Sequence, residues 1–300
     1  MSAMKAVDVR VDDRQLRLTN LDKVYWPEVG FTKGQMIEYY TRIAPTLLPH
    51  LHGRPLTLKR YPEGVDGQMF YEKNCPKHRP EWVQTTTWQL SRKTIDFCLA
   101  QDTATLVWLA NLADIELHTS LSRVPEIGRP TMMVFDLDPG PPADLVQCCE
   151  VALVLRGLFE GVGLQSLAKT SGSKGLQVYV PLNVPDATYA QTKGFSRQVA
   201  ELLETQLPDL VVSRMTKSLR GGKVLVDWSQ NDEKKTTVNV YSVRARERPT
   251  VSTPLDWDEL EAAEDPDDLA FEASEVLERI EERGDLWAPV GDLQQQIPDL

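Results

Sequence analysis

The chain has 300 residues, of which 41% are hydrophobic and 26% are charged. These values are typical of a globular protein long enough to build its own core. No stretch approaches the roughly 18 uninterrupted apolar residues of a membrane span, and the N-terminal sequence lacks the apolar core of a secretory signal. We therefore expect a cytoplasmic protein that does not contact a membrane.

The four cysteines also favour a cytoplasmic location. Cys75, Cys98, Cys148 and Cys149 occur without any CxxC spacing, and the last two are neighbours in a helical pattern, so they cannot easily pair with each other. We therefore expect neither a structural zinc site nor a disulfide framework.

The net charge of −11 is concentrated near the C-terminus. Fourteen acidic residues lie between Asp256 and Asp285 against two arginines, and residues 1–254 carry a net charge of +3. Because a partner responds to the local potential, the acidic total does not exclude a nucleic-acid partner. The simplest interpretation of the acidic segment is a solvated surface on helices.

The first half of the chain predicts alternating strands and helices. Residues 1–15 favour an irregular or strand-forming lead. TKGQMIEYYTRIAPTLLPHL has helical apolar spacing, with Thr32 as N-cap and Pro49 near its end. RPLTLKRYP predicts a strand that Pro62 stops. DTATLVWLANLADIELH predicts a helix and then a short strand ending at His118.

The pattern becomes more regular from residue 131. Strands are predicted at TMMVFDL, LQSLAKT, LQVYVPL and KVLVDWS, with helices at ADLVQCCEVALVLRGLFEGVG and TYAQTKGFSRQVAELLETQ. This β-α-β-β-α-β order is that of the ferredoxin-like or RRM unit. We expect one α+β domain over 1–300, with an N-terminal α/β subregion (1–120), a catalytic subregion (131–250) and an acidic helical segment (251–300).

The stretch MVFDLDPG holds the most informative carboxylates. Because side chains alternate along a strand, Asp136 and Asp138 project from one face and Leu137 from the other. The first and last strands of the unit are neighbours, which places Asp227 beside them. Three converging carboxylates repel one another unless a cation is present, and oxygen-only ligands favour Mg²⁺ or Mn²⁺. An isolated DxD is more often a turn or a cap.

Several other stretches suit phosphate or nucleic acid, although each is weak alone. KTSGSKGLQ places Lys174 and small residues in a hairpin, without the pattern of a Walker A loop. SRMTKSLRGGK is a basic glycine-containing loop, which a solvated surface also explains. Phe70 and Tyr71 lie beside basic residues and suit base stacking, but paired aromatics are more often core. A lone histidine such as His118 is more often structural.

These stretches together resemble the polymerase domain of bacterial ligase D, a branch of the archaeo-eukaryotic primase superfamily. The similarity runs in order through LTNLDKVYWP, RYPEGVDGQMFYEKN, WLANLADIELH, VFDLDPG, SGSKGL, TKSLRGGKVLVDWSQN and YSVRARERPTV. It implies a primase-polymerase fold and a template-dependent nucleotidyltransferase that prefers ribonucleotides to deoxyribonucleotides.

The resemblance further implies gap filling and end extension in non-homologous end joining, on DNA with a downstream 5′-phosphate. The implied partners are Ku, an ATP-dependent DNA ligase and nucleoside triphosphates, in a cytoplasmic, nucleoid-associated setting. Two Mn²⁺ or Mg²⁺ ions would support the transfer, one lowering the pKa of the primer 3′-hydroxyl and one stabilising the leaving pyrophosphate.

The resemblance assigns roles to individual positions. It implies catalysis and metal binding by Asp136, Asp138 and Asp227. It implies nucleotide binding by Lys59, His118, Ser171, Lys174, Arg220, Gln230 and Arg244. It implies recognition of the 5′-phosphate by Asn20, Lys23 and Lys33, and contact with the template and incoming base by Phe70 and Tyr71.

Two features depart from the family pattern. Gln177 stands where the serine-glycine motif commonly ends in histidine, and glutamine can donate a hydrogen bond but carries no charge. We expect altered triphosphate contact or nucleotide affinity rather than loss of activity. The 300 residues also contain no ligase or nuclease module, so the chain is either an excised domain or a relative that recruits its ligase in trans.

Two other functions compete with this interpretation. In a haloacid-dehalogenase-type phosphatase, Asp136 would be the nucleophile and Asp138 the acid, but such enzymes place Thr or Val where this chain has Gly140 after Pro139. A non-catalytic DNA-end-binding module would recognise the 5′-phosphate alone. It would tolerate loss of the aspartates, yet all three are present.

Overall fold

The computed structural model describes residues 6–89 and 93–298. Its strands are β1 (Ala6–Val11), β2 (Arg14–Thr19), β3 (Val24–Trp26), β4 (Phe31–Thr32), β5 (Leu56–Arg60), β6 (Phe70–Glu72), β7 (Thr85–Gln89), β8 (Thr94–Cys98), β9 (Asp114–Thr119), β10 (Met132–Pro139), β11 (Leu167–Thr170), β12 (Leu176–Pro181), β13 (Val211–Val212), β14 (Val224–Asp227), β15 (Thr237–Val238) and β16 (Pro254–Leu255). Its helices are α1 (Lys33–Leu51), α2 (Thr103–Asn111), α3 (Leu145–Gly161), α4 (Tyr189–Gln206), α5 (Trp257–Ala262), α6 (Ala273–Arg283) and α7 (Pro289–Asp292).

The first long helix begins where the sequence predicts. The Thr32 side chain accepts a hydrogen bond from the backbone N–H of Gln35, and the Gln35 side chain accepts one from the Thr32 N–H. This reciprocal cap satisfies two backbone donors that the first turn would otherwise leave unpaired. Pro49 lies in the last turn, and α1 ends at Leu51.

The predicted β-α-β-β-α-β unit is confirmed. Its four strands are β10, β11, β12 and β14, and they lie in the order β14-β10-β12-β11 within a six-stranded sheet. β10 is central and antiparallel to both β12 and β14. Met133, Phe135 and Leu137 point from β10 into a core shared with α3 and α4. The opposite face of the sheet is thereby left for the polar side chains of β10.

A second six-stranded sheet forms the other half of the molecule. Five strands run in the order β15-β9-β5-β8-β7, and β6 pairs with the remaining part of β5. Helices α1 and α2 pack together over the core that this sheet shares. The predicted lead of residues 1–15 includes β1, which pairs with β2 as a hairpin, while its first five residues lie outside the described residues.

The structure corrects the expectation about cysteines. Cys75 and Cys98 form a disulfide, with Cα atoms 4.9 Å apart and 23 positions apart in the sequence. The chain after β6 returns alongside β8, where the Cys75 N–H donates to the Asp96 carbonyl, and this proximity is not visible in the cysteine spacing. Cys148 and Cys149 are free and buried.

The acidic C-terminal segment packs against the body of the protein. β16 extends the sheet that contains β10, and Leu260, Leu269 and Val276 are buried. Arginines pair with several of the acids: Arg279 with Glu259, and Arg156 with Glu261. The expected solvated surface is therefore only one side of this segment. Within residues 6–89 and 93–298, no helix is long and apolar enough to cross a membrane.

Candidate active site

The three predicted aspartates lie on neighbouring strands. Asp136 of β10 is directly opposite Asp227 of β14, and Asp138 follows two residues later on β10. Leu137 between them is fully buried in the helix-side core. The alternation predicted from the sequence therefore sends Asp136 and Asp138 to the same face of the sheet.

That face opens into a cleft of about 310 Å³. Seven of the predicted site residues line it: His118, Asp136, Asp138, Ser171, Lys174, Gln230 and Arg244. Gln177 and Arg246 line it as well. Carboxylates and cationic side chains thus line the same cleft, which is an arrangement suited to a metal-bound polyphosphate.

Burial and neighbouring charge raise the pKa of Asp136 and of Asp138. Burial is the largest cause and raises the pKa of Asp136 to about 7, with the Asp138 charge adding to it. Burial also raises the pKa of Asp138, the Asp227 charge adds to this, and the Lys174 ammonium opposes it. Such mutual repulsion is relieved when a cation lies between the carboxylates.

The donor set fits a divalent cation in its chemistry, although the side chains do not form a closed site. Asp227 Oδ1 accepts from the Ser229 N–H (2.9 Å) and hydroxyl (2.6 Å), and its Oδ2 accepts from Gln230 Nε2 (2.8 Å). In the parts of the chain that the structure describes, no three His, Cys, Asp or Glu side chains are grouped as metal ligands. Each Asp227 oxygen keeps further acceptor capacity beside these hydrogen bonds, because an ionised carboxylate offers about four lone-pair sites.

The SGSKG turn lies directly against β10. The Ser171 hydroxyl accepts from the Ser173 N–H (3.3 Å) and the Gly175 N–H (3.2 Å), which closes the turn. A side chain at Gly175 would overlap the Leu137 carbonyl oxygen, so only glycine permits this approach. Lys174 consequently reaches the cleft, with Nζ 3.4 Å from the Pro139 carbonyl oxygen.

A buried glutamate that the sequence reasoning missed holds together a cationic wall made of three basic side chains, Lys59, His118 and Arg244. Glu116 is 1% exposed, and its Oε2 lies 2.9 Å from Lys59 Nζ, 2.9 Å from His118 Nε2 and 3.3 Å from Arg244 Nε. Burial alone would raise the pKa of Glu116, but these three neighbours together hold it well below its usual range. The pKa of His118 is lowered, mainly by burial, while Glu116 opposes that effect.

The predicted Arg220 lies at the edge of this arrangement. Its guanidinium donates to the Met215 carbonyl oxygen of its own loop (2.6 Å), and its charge lowers the pKa of Asp138. The Arg220 backbone packs against Gly140, where a Cβ would overlap the Arg220 carbonyl oxygen. The glycine after the DxD therefore allows the basic loop to approach β10.

The predicted 5′-phosphate residues form a separate group. The Lys23 N–H donates to the Asn20 carbonyl (3.0 Å), and the Lys33 N–H donates to the Lys23 carbonyl (2.8 Å). The Lys23 ammonium is paired with Glu63 at 2.7 Å, and Lys33 Nζ donates to the Thr19 carbonyl at 2.7 Å. Burial, followed by the Lys23 charge, lowers the pKa of Lys33 to about 8.

The predicted aromatic pair is exposed on the edge strand β6. Phe70 is 41% and Tyr71 is 50% exposed, so neither belongs to the core. The Tyr71 ring meets His118 edge-on, with centroids 6.4 Å apart, and its hydroxyl lies 3.2 Å from that of Thr236 at the cleft. Tyr71 therefore borders the cleft.

Gln177 lies between a predicted metal ligand and a buried lysine. It is only 3% exposed, and its Nε2 donates to Asp136 Oδ1 at 2.9 Å while its Oε1 accepts from Lys169 Nζ at 2.6 Å. The amide is therefore engaged with a carboxylate and a buried lysine rather than left free for a triphosphate.

Three functional candidates were absent from the sequence prediction: Glu116, Lys169 and Arg246. Arg246 donates to the Ser173 hydroxyl at 2.7 Å on the wall of the cleft. A signal existed for Glu116, since it precedes His118 by two residues and shares its strand face. Arg246 follows Arg244 by two residues, and a basic alternation of this kind is the corresponding signal.

Known proteins are similar to this chain in sequence and in fold. A model of the LigD primase-polymerase domain matches residues 32–287. The chain is 41% identical over 287 residues to the multifunctional non-homologous end joining protein LigD of Mycolicibacterium smegmatis, covering 95% of this chain and 37% of that protein. It is 33% identical over 270 residues to the bifunctional LigD of Bacillus subtilis, covering 90% of this chain and 43% of that protein.

The structure is similar to the polymerase domain from Mycobacterium tuberculosis ligase D in complex with DNA. The TM-score is 0.86 at 40% identity, covering 93% of this chain and 98% of that one. This confirms the expected α+β primase-polymerase fold. The chain spans about two fifths of the length of the LigD relatives above. With its matching region, relatives and fold in agreement, the chain belongs to the LigD primase-polymerase domain family.

Proposed function

We propose that the chain is a template-dependent polymerase that fills gaps and extends ends during non-homologous end joining. Family membership makes it a nucleotidyltransferase of the primase-polymerase class. Its relatives are named non-homologous end joining proteins. The observation that carries the proposal is the cleft itself. Asp136 and Asp138 line it opposite Lys174, Arg244 and Arg246, so metal ligands and triphosphate contacts share one cavity.

The mechanism we propose assigns each wall of the cleft a role. Asp136, Asp138 and Asp227 would hold the divalent ions, which when bound lower the pKa of the primer 3′-hydroxyl and offset phosphate charge. The Lys174 ammonium binds phosphate oxygens as negative charge grows on them. Glu116 keeps Lys59, His118 and Arg244 in fixed positions for the nucleotide.

The remaining predicted residues have positions consistent with DNA contact. Tyr71 borders the cleft and, with Phe70, is proposed to meet the template and incoming base. Asn20, Lys23 and Lys33 are proposed to read the downstream 5′-phosphate. Residues 1–120 would thus provide the DNA contacts and 131–250 the chemistry.

We further propose that the enzyme prefers ribonucleotides and Mn²⁺ and works in the cytoplasm near the nucleoid. Its proposed partners are Ku and an ATP-dependent ligase, supported by the LigD relatives, which are named end-joining proteins. A DNA partner is supported by the similar M. tuberculosis polymerase domain, which was solved with DNA.

Primer extension on a gapped duplex tests the proposal. We expect extension to be faster with NTPs than dNTPs, with Mn²⁺ than Mg²⁺, and with a 5′-phosphate than a 5′-hydroxyl. Asp227→Ala should abolish extension but still bind 5′-phosphorylated gapped DNA, because the proposed DNA contacts lie elsewhere. Asp209→Ala, at an exposed position away from the cleft, is the matched control.

Persistent extension by Asp227→Ala would refute the three-carboxylate assignment. DNA binding without extension in the wild type would instead indicate the end-binding module. DNA-independent hydrolysis of p-nitrophenyl phosphate would indicate the phosphatase with Asp136 as nucleophile.

A further inference from the structure

A row of four polar residues crosses the sheet that holds the aspartates. Lys169 of β11 is paired with Gln177 of β12, Gln177 with Asp136 of β10, and Asp136 with Asp227 of β14. Residues paired across antiparallel strands project from the same face. The row therefore begins at a lysine that is 1% exposed and ends at the proposed metal ligands.

Hydrogen bonds join three members of this row. Lys169 Nζ donates to Gln177 Oε1 at 2.6 Å, and Gln177 Nε2 donates to Asp136 Oδ1 at 2.9 Å. Gln177 Oε1 also accepts from the Tyr179 hydroxyl at 3.3 Å. An amide oxygen can only accept and an amide NH₂ group can only donate. The amide consequently has one orientation that satisfies its neighbours, and Lys169 and Tyr179 both favour it.

Lys169 has no other acidic neighbour among the described residues. Its remaining hydrogen bond goes to the Ser252 hydroxyl at 2.7 Å, and Tyr179 covers it with ring centroid 5.6 Å from Nζ. No carboxylate lies within ion-pair distance of Lys169 in residues 6–89 or 93–298. Lys169 is instead connected to the carboxylate of Asp136 through two hydrogen bonds and the Gln177 amide. A lysine buried only for packing would not need this connection.

We propose that Lys169 is a positioning residue for the metal-binding Asp136, acting through the Gln177 amide. The proposal rests on the function proposed above. By fixing Asp136 Oδ1 in a hydrogen bond, the pair leaves Oδ2 free of protein donors and directed to a ligand. Groups that hold a metal-binding side chain in place commonly contribute tenfold or more to metal affinity.

The same geometry indicates what a histidine at position 177 would do. A neutral imidazole offers one acceptor and one donor. It can accept from Lys169 and donate to Asp136, so histidine at this position would preserve the connection.

Direct Mn²⁺ titration of the whole chain, followed by the EPR signal of free Mn²⁺, tests the connection without relying on activity. Lys169→Met and Gln177→Met should each weaken Mn²⁺ binding about tenfold. The double variant should be no weaker than either single variant, because both remove the same connection. Gln177→His should restore affinity to within about twofold, since the donor and acceptor are both kept.

Val178→Ala is the control for general destabilisation, because Val178 is buried on the opposite face of β12. It should lower the melting temperature and leave Mn²⁺ affinity unchanged. Wild-type Mn²⁺ affinity in Lys169→Met, or losses that add in the double variant, would overturn the proposal. Asp136→Asn distinguishes failure of the proposed function from failure of the positioning role. If Asp136→Asn binds Mn²⁺ as tightly as wild type, the assignment of Asp136 as a metal ligand is refuted. If Asp136→Asn loses Mn²⁺ binding but Lys169→Met binds normally, only the positioning role of Lys169 is refuted.

Discussion

Replacing Glu116 with glutamine removes the single negative charge that holds the cationic wall together. In the native protein Glu116 Oε2 meets Lys59, His118 and Arg244 within 3.3 Å, and its Oε1 accepts from the Ala245 N–H at 3.1 Å. Glutamine keeps the shape of the side chain. It cannot keep all of these bonds, because its NH₂ group would face cationic donors.

The stability loss follows from burial and from the number of partners. Breaking a buried ion pair costs roughly 3–5 kcal/mol, but the three partners retain 14–21% exposure, so water offsets part of the loss. We expect a decrease of about 3 kcal/mol in the free energy of unfolding, at the low end of that range. For a domain of this size the melting temperature should fall by roughly 5–10 °C.

The pH dependence has a defined sign. The native pKa of Glu116 is depressed, so its contribution is fully present above the ordinary value of 4.5 and is lost as the pH falls below it. Urea denaturation should therefore show that wild type exceeds Glu116→Gln in free energy of unfolding by a constant amount from pH 5 to 7, and that this difference narrows towards pH 3. Glu150→Gln, on the exposed side of α3, should have the same free energy of unfolding as wild type. A difference for Glu116→Gln below about 1 kcal/mol, or one that does not change with pH, would refute this account of Glu116.

Two further predictions concern other parts of the chain. Because the pKa of Lys33 is lowered to about 8, its charge is present below that pH and lost above it. The affinity ratio of 5′-phosphorylated to 5′-hydroxyl gapped DNA, measured by fluorescence anisotropy, should decrease from pH 7 to 9. A ratio that stays constant would exclude Lys33 from recognition of the 5′-phosphate. Separately, Cys75→Ser opens a loop of 23 residues and should lower the free energy of unfolding, measured by urea denaturation, by about 3 kcal/mol. Wild type denatured in the presence of reductant should lose the same amount, which is the internal check. No loss in either experiment would refute a stabilising disulfide.

The sequence predicts the catalytic sheet well because its signals are local. Each strand of the β-α-β-β-α-β unit is a compact apolar run, and each helix has an apolar period and a polar cap. The connection rules for that unit then place Asp227 beside Asp136 without any knowledge of side-chain packing.

The supporting residues are hidden because their partners are distant in the chain. Glu116 meets Arg244 across 128 positions, and Lys169 meets Ser252 across 83. A buried lysine or glutamate reads in the sequence as a surface residue, since such residues are seldom buried unless they are paired. Likewise, the pairing of Cys75 with Cys98 depends on how the chain returns after β6. The tertiary fold, including the loops that carry Cys75, Arg244 and Ser252, brings these groups together.

The local distribution of charge makes a chain that is acidic overall compatible with the proposed DNA partner. Some of the C-terminal acids are paired with arginines, as in the bidentate pair of Arg279 with Glu259 and the pair of Arg283 with Asp256. The cleft, in contrast, is lined by Lys174, Arg244 and Arg246 together with the carboxylates of Asp136 and Asp138. A polyphosphate approaching with divalent metal meets this local field, so the charge of the whole chain does not decide what it binds.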